Sequence, residues 1–290
     1  MRRNSIMWDA PARCLLIFSS ALAAASAQTA PGPVMVVTPA LRHAVFGAGG
    51  TLALMAAEQR PVYAVVFGND EKESVGLTPA QSREAGEKEA RRAAEILGLK
   101  EVLYLGHKSG ELGHVSSSEM RNQVMALTRL YKPEILFFPD WYVHYQDDND
   151  LYRVGRMAEE SPYGGSSLFL QEMTYLGFPG AAARQYYFFV PFRPYREREG
   201  GEVSAVMKQV DISSVLARKI EAATAFATAN AAWAARVRPN APVDQFVRSF
   251  IEELAATAGA RHNLRYAEEF NHLRREGGLP AHVMEKARRK

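Results

Sequence analysis

The sequence predicts an α/β protein with a Rossmann-like, doubly wound and mostly parallel sheet, followed by C-terminal helices. Two observations carry this prediction. Short apolar runs, typical of strands buried on both faces, alternate with stretches of helical length through the first half of the chain. Beyond residue 210, two long stretches with helical composition follow instead.

Four successive strand and helix units are predicted in the first half. The first helix covers residues 45–59 and the third covers residues 117–131. The second begins at Thr78-Pro79, because Thr is a good N-cap and Pro suits the first helical position, and it ends at Gly98. The predicted strands are the apolar runs at residues 34–37, 61–67, 102–105 and 134–138.

In the second half of the chain, predicted strands and helices alternate less regularly. Residues 171–178 and 184–190 have the composition of strands, and the charged residues 193–202 indicate an exposed loop. Residues 210–235 and 243–258 are predicted to be helices.

The first 27 residues are predicted to be a secretory signal. Arg2 and Arg3 precede an apolar run at residues 15–25, which ends in small residues suited to cleavage. A buried helix of the mature fold is the alternative. The prediction makes residues 28–273 a single domain and residues 274–290 a charged tail. The protein would be exported, either periplasmic or released, with no transmembrane segment after cleavage.

Composition narrows the function classes. Cys14 is the only cysteine and lies in the predicted signal, so the mature chain would have no disulfide and no thiolate chemistry. Signal removal takes three arginines and one aspartate and lowers the formal net charge from +3 to +1. Without a basic surplus or an aromatic–basic pattern, nucleic acid is not a predicted partner.

The loop that follows the first strand carries a family resemblance. In such sheets, ligands bind beyond the carboxyl ends of the strands. Here Pro39 precedes a Gly-rich helix start that contains Gly47, Gly49, Gly50 and Thr51. This frame resembles the LmbE-like (PIG-L-type) N-acetylglucosaminyl deacetylases, which carry a Pro-His-Pro-Asp-Asp-Glu loop before a Gly-rich helix. The resemblance covers about residues 33–272 and implies the LmbE-like deacetylase fold and zinc-dependent amide hydrolysis of amino sugars.

The contents of that loop differ from the family pattern. The family's metal-binding His falls on Ala40, its general-base Asp on Arg42, its metal-binding Asp on His43 and its Glu on Ala44. Alanine cannot bind a metal, and arginine stays protonated and cannot act as a base. His43 is therefore the one metal ligand predicted here, with too few partners, and a hydrogen-bonded loop residue is the alternative reading. For the glycines, close helix–sheet packing is favoured over a dinucleotide loop.

Two further loops follow the second and third strands. Residues 68–76 are polar and acidic, so that their carboxylates are either functional or simply solvated. Residues 106–114 resemble the family's Gly-x-x-Asp-Gly-x-Leu segment, with Ser109 in place of the Asp. Lys108 and Glu111 of this loop are predicted to line a substrate pocket.

The loop after the fourth strand leads into Val154-Gly155-Arg156, which resembles the helix that follows the family's His-Pro-Asp-His motif. On this alignment the first His becomes Asp148, the Asp is retained as Asp150, and the second His, a metal ligand, becomes Leu151. The two aspartates either act as catalytic groups, if the protein is active, or stabilise the N-terminus of the next helix. Trp141 and His144 are predicted to lie in the pocket. Later, residues 265–270 resemble the family's closing Tyr-Ala-Glu-x-Phe segment, whose role is architectural.

These residues leave three functions open. The first is a sugar- or glycan-binding pseudoenzyme that needs no cofactor and uses the pocket residues Arg42, His43, Lys108, Glu111, Trp141 and His144. The second is an active de-N-acetylase of amino sugars with a rebuilt zinc site. The third is a structural partner subunit, and the oligomeric state is not predicted.

Overall fold

A seven-stranded sheet forms the centre of the structure, a computed structural model that describes residues 31–144, 148–166, 168–196 and 206–274. The strand order is β3-β2-β1-β4-β5-β7-β6. Neighbours among β1 to β5 run parallel, whereas β7 is antiparallel to both β5 and β6. The strands are β1 (Val34–Thr38), β2 (Val62–Gly68), β3 (Glu101–His107), β4 (Ile135–Pro139), β5 (Gln185–Phe189), β6 (Val206–Asp211) and β7 (Ala267–Arg274). The predicted mostly parallel α/β fold is confirmed.

Helices cover both faces of this sheet. They are α1 (Leu41–Ala57), α2 (Pro79–Leu97), α3 (Ser117–Tyr131), α4 (Trp141–His144), α5 (Asn149–Glu159), α6 (Gln171–Tyr175), α7 (Leu216–Thr224), α8 (Ala227–Val237) and α9 (Val243–Arg261). Successive residues of a strand point to opposite faces. Accordingly, Val34 and Val36 of β1 pack in the core beneath α1, α2, α7 and α9, and Met35 and Val37 pack in the core beneath α3 and α5.

The ends of α2 follow directly from the sequence. The Thr78 side chain accepts a hydrogen bond from the Gln81 amide, and the Gln81 side chain accepts one from the Thr78 amide. Pro79 is the first helical residue, and Gly98 ends the helix with a φ of 80°, a left-handed conformation that suits glycine. The predicted boundaries of α2 are confirmed.

The first helix begins earlier than predicted. It starts at Leu41 rather than at residue 45, so Arg42 and His43 lie in its first turn and not in a loop. Close packing holds the glycines of this helix against its neighbours. A Cβ atom on Gly47 would lie 2.7 Å from Phe189 Cδ2, and one on Gly50 would lie 2.7 Å from Ile212 Cγ2. The predicted packing role of the glycines is confirmed.

A buried ion pair joins α1 to α7 and β7. The Nζ of Lys219 lies 2.7 Å from Oε1 of Glu268, and both side chains are almost fully buried. The same carboxylate accepts hydrogen bonds from the amides of Gly50 and Thr51 and from the Thr51 hydroxyl. Glu268 belongs to the segment at residues 265–270, so its place in the fold matches the architectural role predicted for that segment.

Two predicted elements of the second half are wrong. Residues 171–178 do not form a strand; they contain the short helix α6, and their apolar side chains include the exposed Tyr175 and Leu176. Residues 210–235 do not form one helix, because the chain ends β6 at Asp211 and then forms α7 and α8. Residues 267–274, not predicted as a strand, form β7 between β5 and β6.

The side chain of Arg129 holds the segment around α6. Arg129 is fully buried in α3. Its guanidinium donates to the carbonyls of Gly164, Ser166, Phe169, Leu170 and Phe178 and to the hydroxyl of Thr174. Because Arg129 supplies hydrogen bonds to these carbonyls, the segment does not need to pair with a neighbouring strand. The strand predicted from its apolar composition therefore does not form.

Gly155 allows α5 to cross the end of β4. A Cβ atom at this position would lie 2.2 Å from the Pro139 carbonyl oxygen, a backbone atom that no side-chain rotation can move. We expect Gly155→Ala to lower the free energy of unfolding by about 3 kcal/mol, at the upper end of overpacking costs, as measured by urea denaturation. In the control Gly165→Ala, the nearest atom is the Ala182 Cβ at 3.4 Å, and a change within about 0.5 kcal/mol is expected. Equal losses in both variants would contradict the packing argument.

Residues 31–274 fall within one compact unit. The predicted signal at residues 1–27 lies outside the described residues, as do residues 275–290 of the predicted tail and most of the predicted loop at 193–202. Within the described part of the chain, no helix combines the length and apolar character needed to cross a lipid bilayer.

Candidate functional site

A cleft of about 350 Å³ opens at the carboxyl ends of the parallel strands. The strand order reverses beside β1, whose neighbours are β2 and β4, and such a reversal is where ligands bind in this class of sheet. Residues that follow β1 to β5 and the end of α8 all contribute to its walls. The lining residues are Pro39, Ala40, Arg42, His43, Glu73, Ser109, Gly110, Asp148, Asn149, Asp150, Phe192, Trp233 and Arg236.

Arg42 is a buried cation with few partners. Only 5% of the residue is exposed. Its Nη2 lies 3.4 Å from Oε2 of Glu73, and its Nε and Nη1 have no hydrogen-bond partner among the described residues. The guanidinium carbon lies within 6 Å of three ring centroids, those of Phe46, Phe192 and Trp233. Burial lowers the pKa of Arg42, opposed mainly by Glu73, and the guanidinium remains protonated because arginine pKa values start above 12.

His43 lies beside Arg42 and is uncharged. Burial, and then the neighbouring Arg42 charge, lower the pKa of His43 to about 3. Its ring packs edge-on against Phe192, and its Nδ1 has no hydrogen-bond partner among the described residues. His144 is also buried and lies close enough to depress the His43 pKa further. The structure thus places two buried imidazoles near one another, and only that of His43 lines the cleft.

Asp148 and Asp150 also line the cleft, but backbone amides engage both. Asp148 is the N-cap of α5 and accepts from the Leu151 amide at 2.9 Å. Asp150 accepts from the amides of Gly110 at 2.6 Å and Leu112 at 3.1 Å. Burial raises the pKa of Asp150, and these two hydrogen bonds oppose the rise. Asp148 caps the start of α5, as the helix-stabilising alternative predicted, whereas Asp150 holds the loop after β3.

A second acidic group lies behind the cleft at the end of β2. Asp70 is buried, and its Oδ2 accepts a weak hydrogen bond from the Tyr104 hydroxyl at 3.4 Å. Burial, and then the nearby Glu73, raise the pKa of Asp70 to about 7. The hydroxyl of Ser109, which stands where the family has an Asp, accepts from the Asp70 amide. Ser109 therefore supports the loop after β2.

Four of the predicted pocket residues do not line the cleft: Lys108, Glu111, Trp141 and His144, the last of which is buried. Lys108 is exposed, and Glu111 forms an ion pair with Lys72 at 2.5 Å on the surface. Trp141 faces α5, where its indole donates to Glu159 and its ring stacks on Tyr142. Trp141 therefore packs against the neighbouring helix α5 instead of lining the cleft.

The cleft residues that were not predicted to line the pocket include Glu73, Phe192, Trp233 and Arg236. Glu73 belongs to the acidic loop after β2, which the sequence left open between a functional and a solvated role. Phe192, Trp233 and Arg236 come from the far end of the chain. No local motif marks them. Phe192 comes to Arg42 from the end of β5, whereas Trp233 and Arg236 come from α8, which packs against α2 and α9.

The residues at the family's metal positions do not fit zinc. A zinc site needs at least three protein ligands. Ala40 and Leu151 have no donor atom, and Asp148 and Asp150 are committed to amides. Among the residues that the structure describes, no three His, Cys, Asp or Glu side chains are grouped so as to hold a metal ion.

Comparison with known families matches this part of the chain. Residues 35–158 match the model of the family described as PIG-L, GlcNAc-PI de-N-acetylase. The match contains β1 to β4 and the loops after them, including the altered loops after β1 and β4. No curated protein matches the chain significantly. The resemblance predicted from the sequence is confirmed over this segment.

Solved structures share the fold at low sequence identity. The N,N'-diacetylchitobiose deacetylase of Pyrococcus horikoshii is 20% identical, with a TM-score of 0.69, over 83% of this chain and 84% of that one. The 4-carboxy-2-hydroxymuconate hydratase GalB of Pseudomonas putida is 18% identical, with a TM-score of 0.65, over 86% and 99%. A conserved protein of Thermus thermophilus is 22% identical, with a TM-score of 0.62, over 85% and 99%. At these identities the likeness establishes the fold alone, and the fold hosts more than one reaction.

Proposed function

We propose, from the premise that residues 35–158 match the GlcNAc-PI de-N-acetylase family, that this chain binds an amino-sugar or glycan ligand without hydrolysing its amide. The ligand would occupy the cleft at the carboxyl ends of β1 to β4. The protein would then be a binding protein on a deacetylase fold, exported if residues 1–27 act as a signal. N-terminal sequencing of exported protein, expected to begin after Ala27, tests that last point.

The observation that carries the proposal is Arg42. Amide hydrolysis needs a group that takes a proton from the attacking water. The family's base position holds a buried guanidinium, which has no acceptor and stays charged. Two of the three family metal positions hold Ala40 and Leu151, whose side chains have no atom that can bind a metal. The base position and the metal positions are therefore altered together.

The cleft nevertheless retains features of a sugar site. The rings of Trp233 and Phe192 offer apolar faces, while Ser109, Gly110 and Asn149 offer polar groups. Its volume of about 350 Å³ is at the small end of ligand pockets and suits one or two sugar rings. Apolar faces with a few polar groups are the usual composition of such pockets.

One experiment separates binding from hydrolysis. The full chain, purified without added metal, is analysed for zinc, for acetate release from N,N'-diacetylchitobiose, and for binding of that sugar by calorimetry. We expect no stoichiometric zinc, no acetate and saturable binding. Trp233→Ala should weaken binding tenfold or more, whereas Lys108→Ala, on the exposed loop outside the cleft, should not change it.

The second candidate function is an active de-N-acetylase with a rebuilt metal site. His43 favours it, because this neutral imidazole lines the cleft and its Nδ1 has no hydrogen-bond partner among the described residues. Stoichiometric zinc, together with acetate release that is lost in His43→Ala, would establish this candidate and refute the binding-only proposal.

A further inference from the structure

We infer that the ligand of this cleft carries a carboxylate, as an acidic sugar does, and that Arg42 and Arg236 bind it at the N-terminus of α1. The inference rests on the proposed binding function and names the chemical class of the ligand. Three independent features of the described residues support it: the state of Arg42, the start of α1 and the engagement of the acidic side chains.

Arg42 is the first feature. Its side chain is 6% exposed, and two of its three guanidinium nitrogens have no hydrogen-bond partner among the described residues. A buried guanidinium without acceptors is costly, since its desolvation is not repaid. The single contact with Glu73, at 3.4 Å, is too long to compensate. Both nitrogens are closed off from solvent in the free protein. A planar carboxylate, which matches the guanidinium fork, would supply the missing acceptors once the Arg42 side chain turns toward the cleft.

The start of α1 is the second feature. A helix N-terminus carries partial positive charge and unpaired amides, which side chains such as Asp or Ser usually satisfy. Here the N-cap is Ala40, which offers no side-chain acceptor, and the first turn contains no acidic residue. Ala40 lines the cleft next to Arg42. The partial positive charge at the start of α1 is therefore not neutralised by an acidic or capping side chain of the helix, and it adds to the positive potential of the cleft.

The distribution of charge within the cleft is the third feature. Arg236, at the end of α8, lines the cleft and is close enough to lower the Arg42 pKa, so two cations share the site. Of the three carboxylates in the walls, Asp148 and Asp150 accept hydrogen bonds from backbone amides. Glu73 is the one wall carboxylate within ion-pair distance of Arg42, and His43 is neutral. A ligand carboxylate would therefore pair with guanidinium nitrogens that the wall carboxylates do not contact.

A bound water is the competing explanation for the unpaired nitrogens. A void of about 10 Å³ lies on another side of Arg42, with Asp70, Glu73 and Glu89 in its walls. That volume is close to the minimum for one water molecule. A water there could satisfy Arg42 without any ligand, and the guanidinium would then only stabilise the fold.

The test compares sugars that differ in one carboxylate. Calorimetry with the full chain measures binding of D-glucuronate and of D-glucose, and of D-galacturonate and D-galactose. We expect each uronate to bind at least tenfold more tightly than its neutral partner, and added salt to weaken only the uronates. Arg42→Gln and Arg236→Gln should each remove most of this preference. Arg238→Gln, an exposed arginine near the same helix end but outside the cleft walls, should leave it unchanged.

The outcomes are distinct. Thermal unfolding establishes that each variant folds, and Arg236→Gln, at an exposed position, carries the test if Arg42→Gln does not fold. Equal affinities for the two members of a pair, no binding of either, or a preference that survives both substitutions would overturn the inference and favour the water. Binding of N,N'-diacetylchitobiose without a uronate preference would leave the proposed function standing, whereas acetate release without sugar binding at equilibrium would refute that function instead.

Discussion

Replacing Lys219 by methionine is expected to lower the free energy of unfolding by about 3–5 kcal/mol. Methionine has a similar length but no charge, so the carboxylate of Glu268 would stay buried without its counterion. The three donors from Gly50 and Thr51 would remain, which places the loss nearer the lower bound. Urea denaturation of the two proteins at neutral pH measures the difference.

A surface ion pair of the same length provides the control. Arg91 and Glu87 lie 2.6 Å apart, with about half of each side chain exposed. Arg91→Met should change the free energy of unfolding by less than about 1 kcal/mol. The double variant Lys219→Met with Glu268→Gln should recover part of the loss, since no buried charge is left. Equal effects of Lys219→Met and Arg91→Met would show that burial of the pair is not what matters.

Asp70 is expected to make the protein less stable as the pH rises from 4 to 7. The folded protein binds a proton at Asp70 up to a pKa of about 7, whereas the unfolded chain loses it near the ordinary value of 3.8. Between these values the folded state holds more protons, so the free energy of unfolding falls with increasing pH. The full span corresponds to about 4 kcal/mol.

Asp70→Asn removes this titration while keeping the shape of the side chain. We expect the variant to be more stable than the parent above pH 7 and to lose the downward slope between pH 4 and pH 7. Urea denaturation at half-unit pH intervals measures both curves. Asp211→Asn is the control, because Asp211 is almost fully solvent-facing and its pKa is lowered. Parallel curves for the parent and Asp70→Asn would contradict a buried, protonated Asp70.

The fold could be predicted from sequence where one residue type determines the local structure. Thr78 and Gly98 mark the ends of α2, and the apolar runs mark the central strands, because both signals depend on near neighbours. The helix α1 begins four residues before its predicted start, and the sequence does not mark this position because the N-cap, Ala40, carries no side-chain capping signal. The sequence does not predict α6, because the hydrogen bonds that hold it come from Arg129, more than thirty residues away.

The candidate site could be predicted only in part. The chain segments that follow β1 and β4 do bring Arg42, His43, Asp148 and Asp150 to one cleft, as the order of parallel strands requires. Which carboxylates are free to act depends on hydrogen bonds that sequence spacing does not encode, such as those from Gly110 and Leu112 to Asp150. The contributions of Trp233 and Arg236 depend on how α8 packs against α2 and α9.

The hydrogen bonds of Arg129 join both ends of one surface segment, from Gly164 to Phe178. Because a single guanidinium holds these distant carbonyls, the segment should open as a whole rather than fray from one end. Its amides would then exchange with deuterium at one common rate, slower than a free loop and faster than the central strands. This part of the surface could accordingly be exchanged for another sequence, with its own anchor, while the sheet and the cleft keep their architecture.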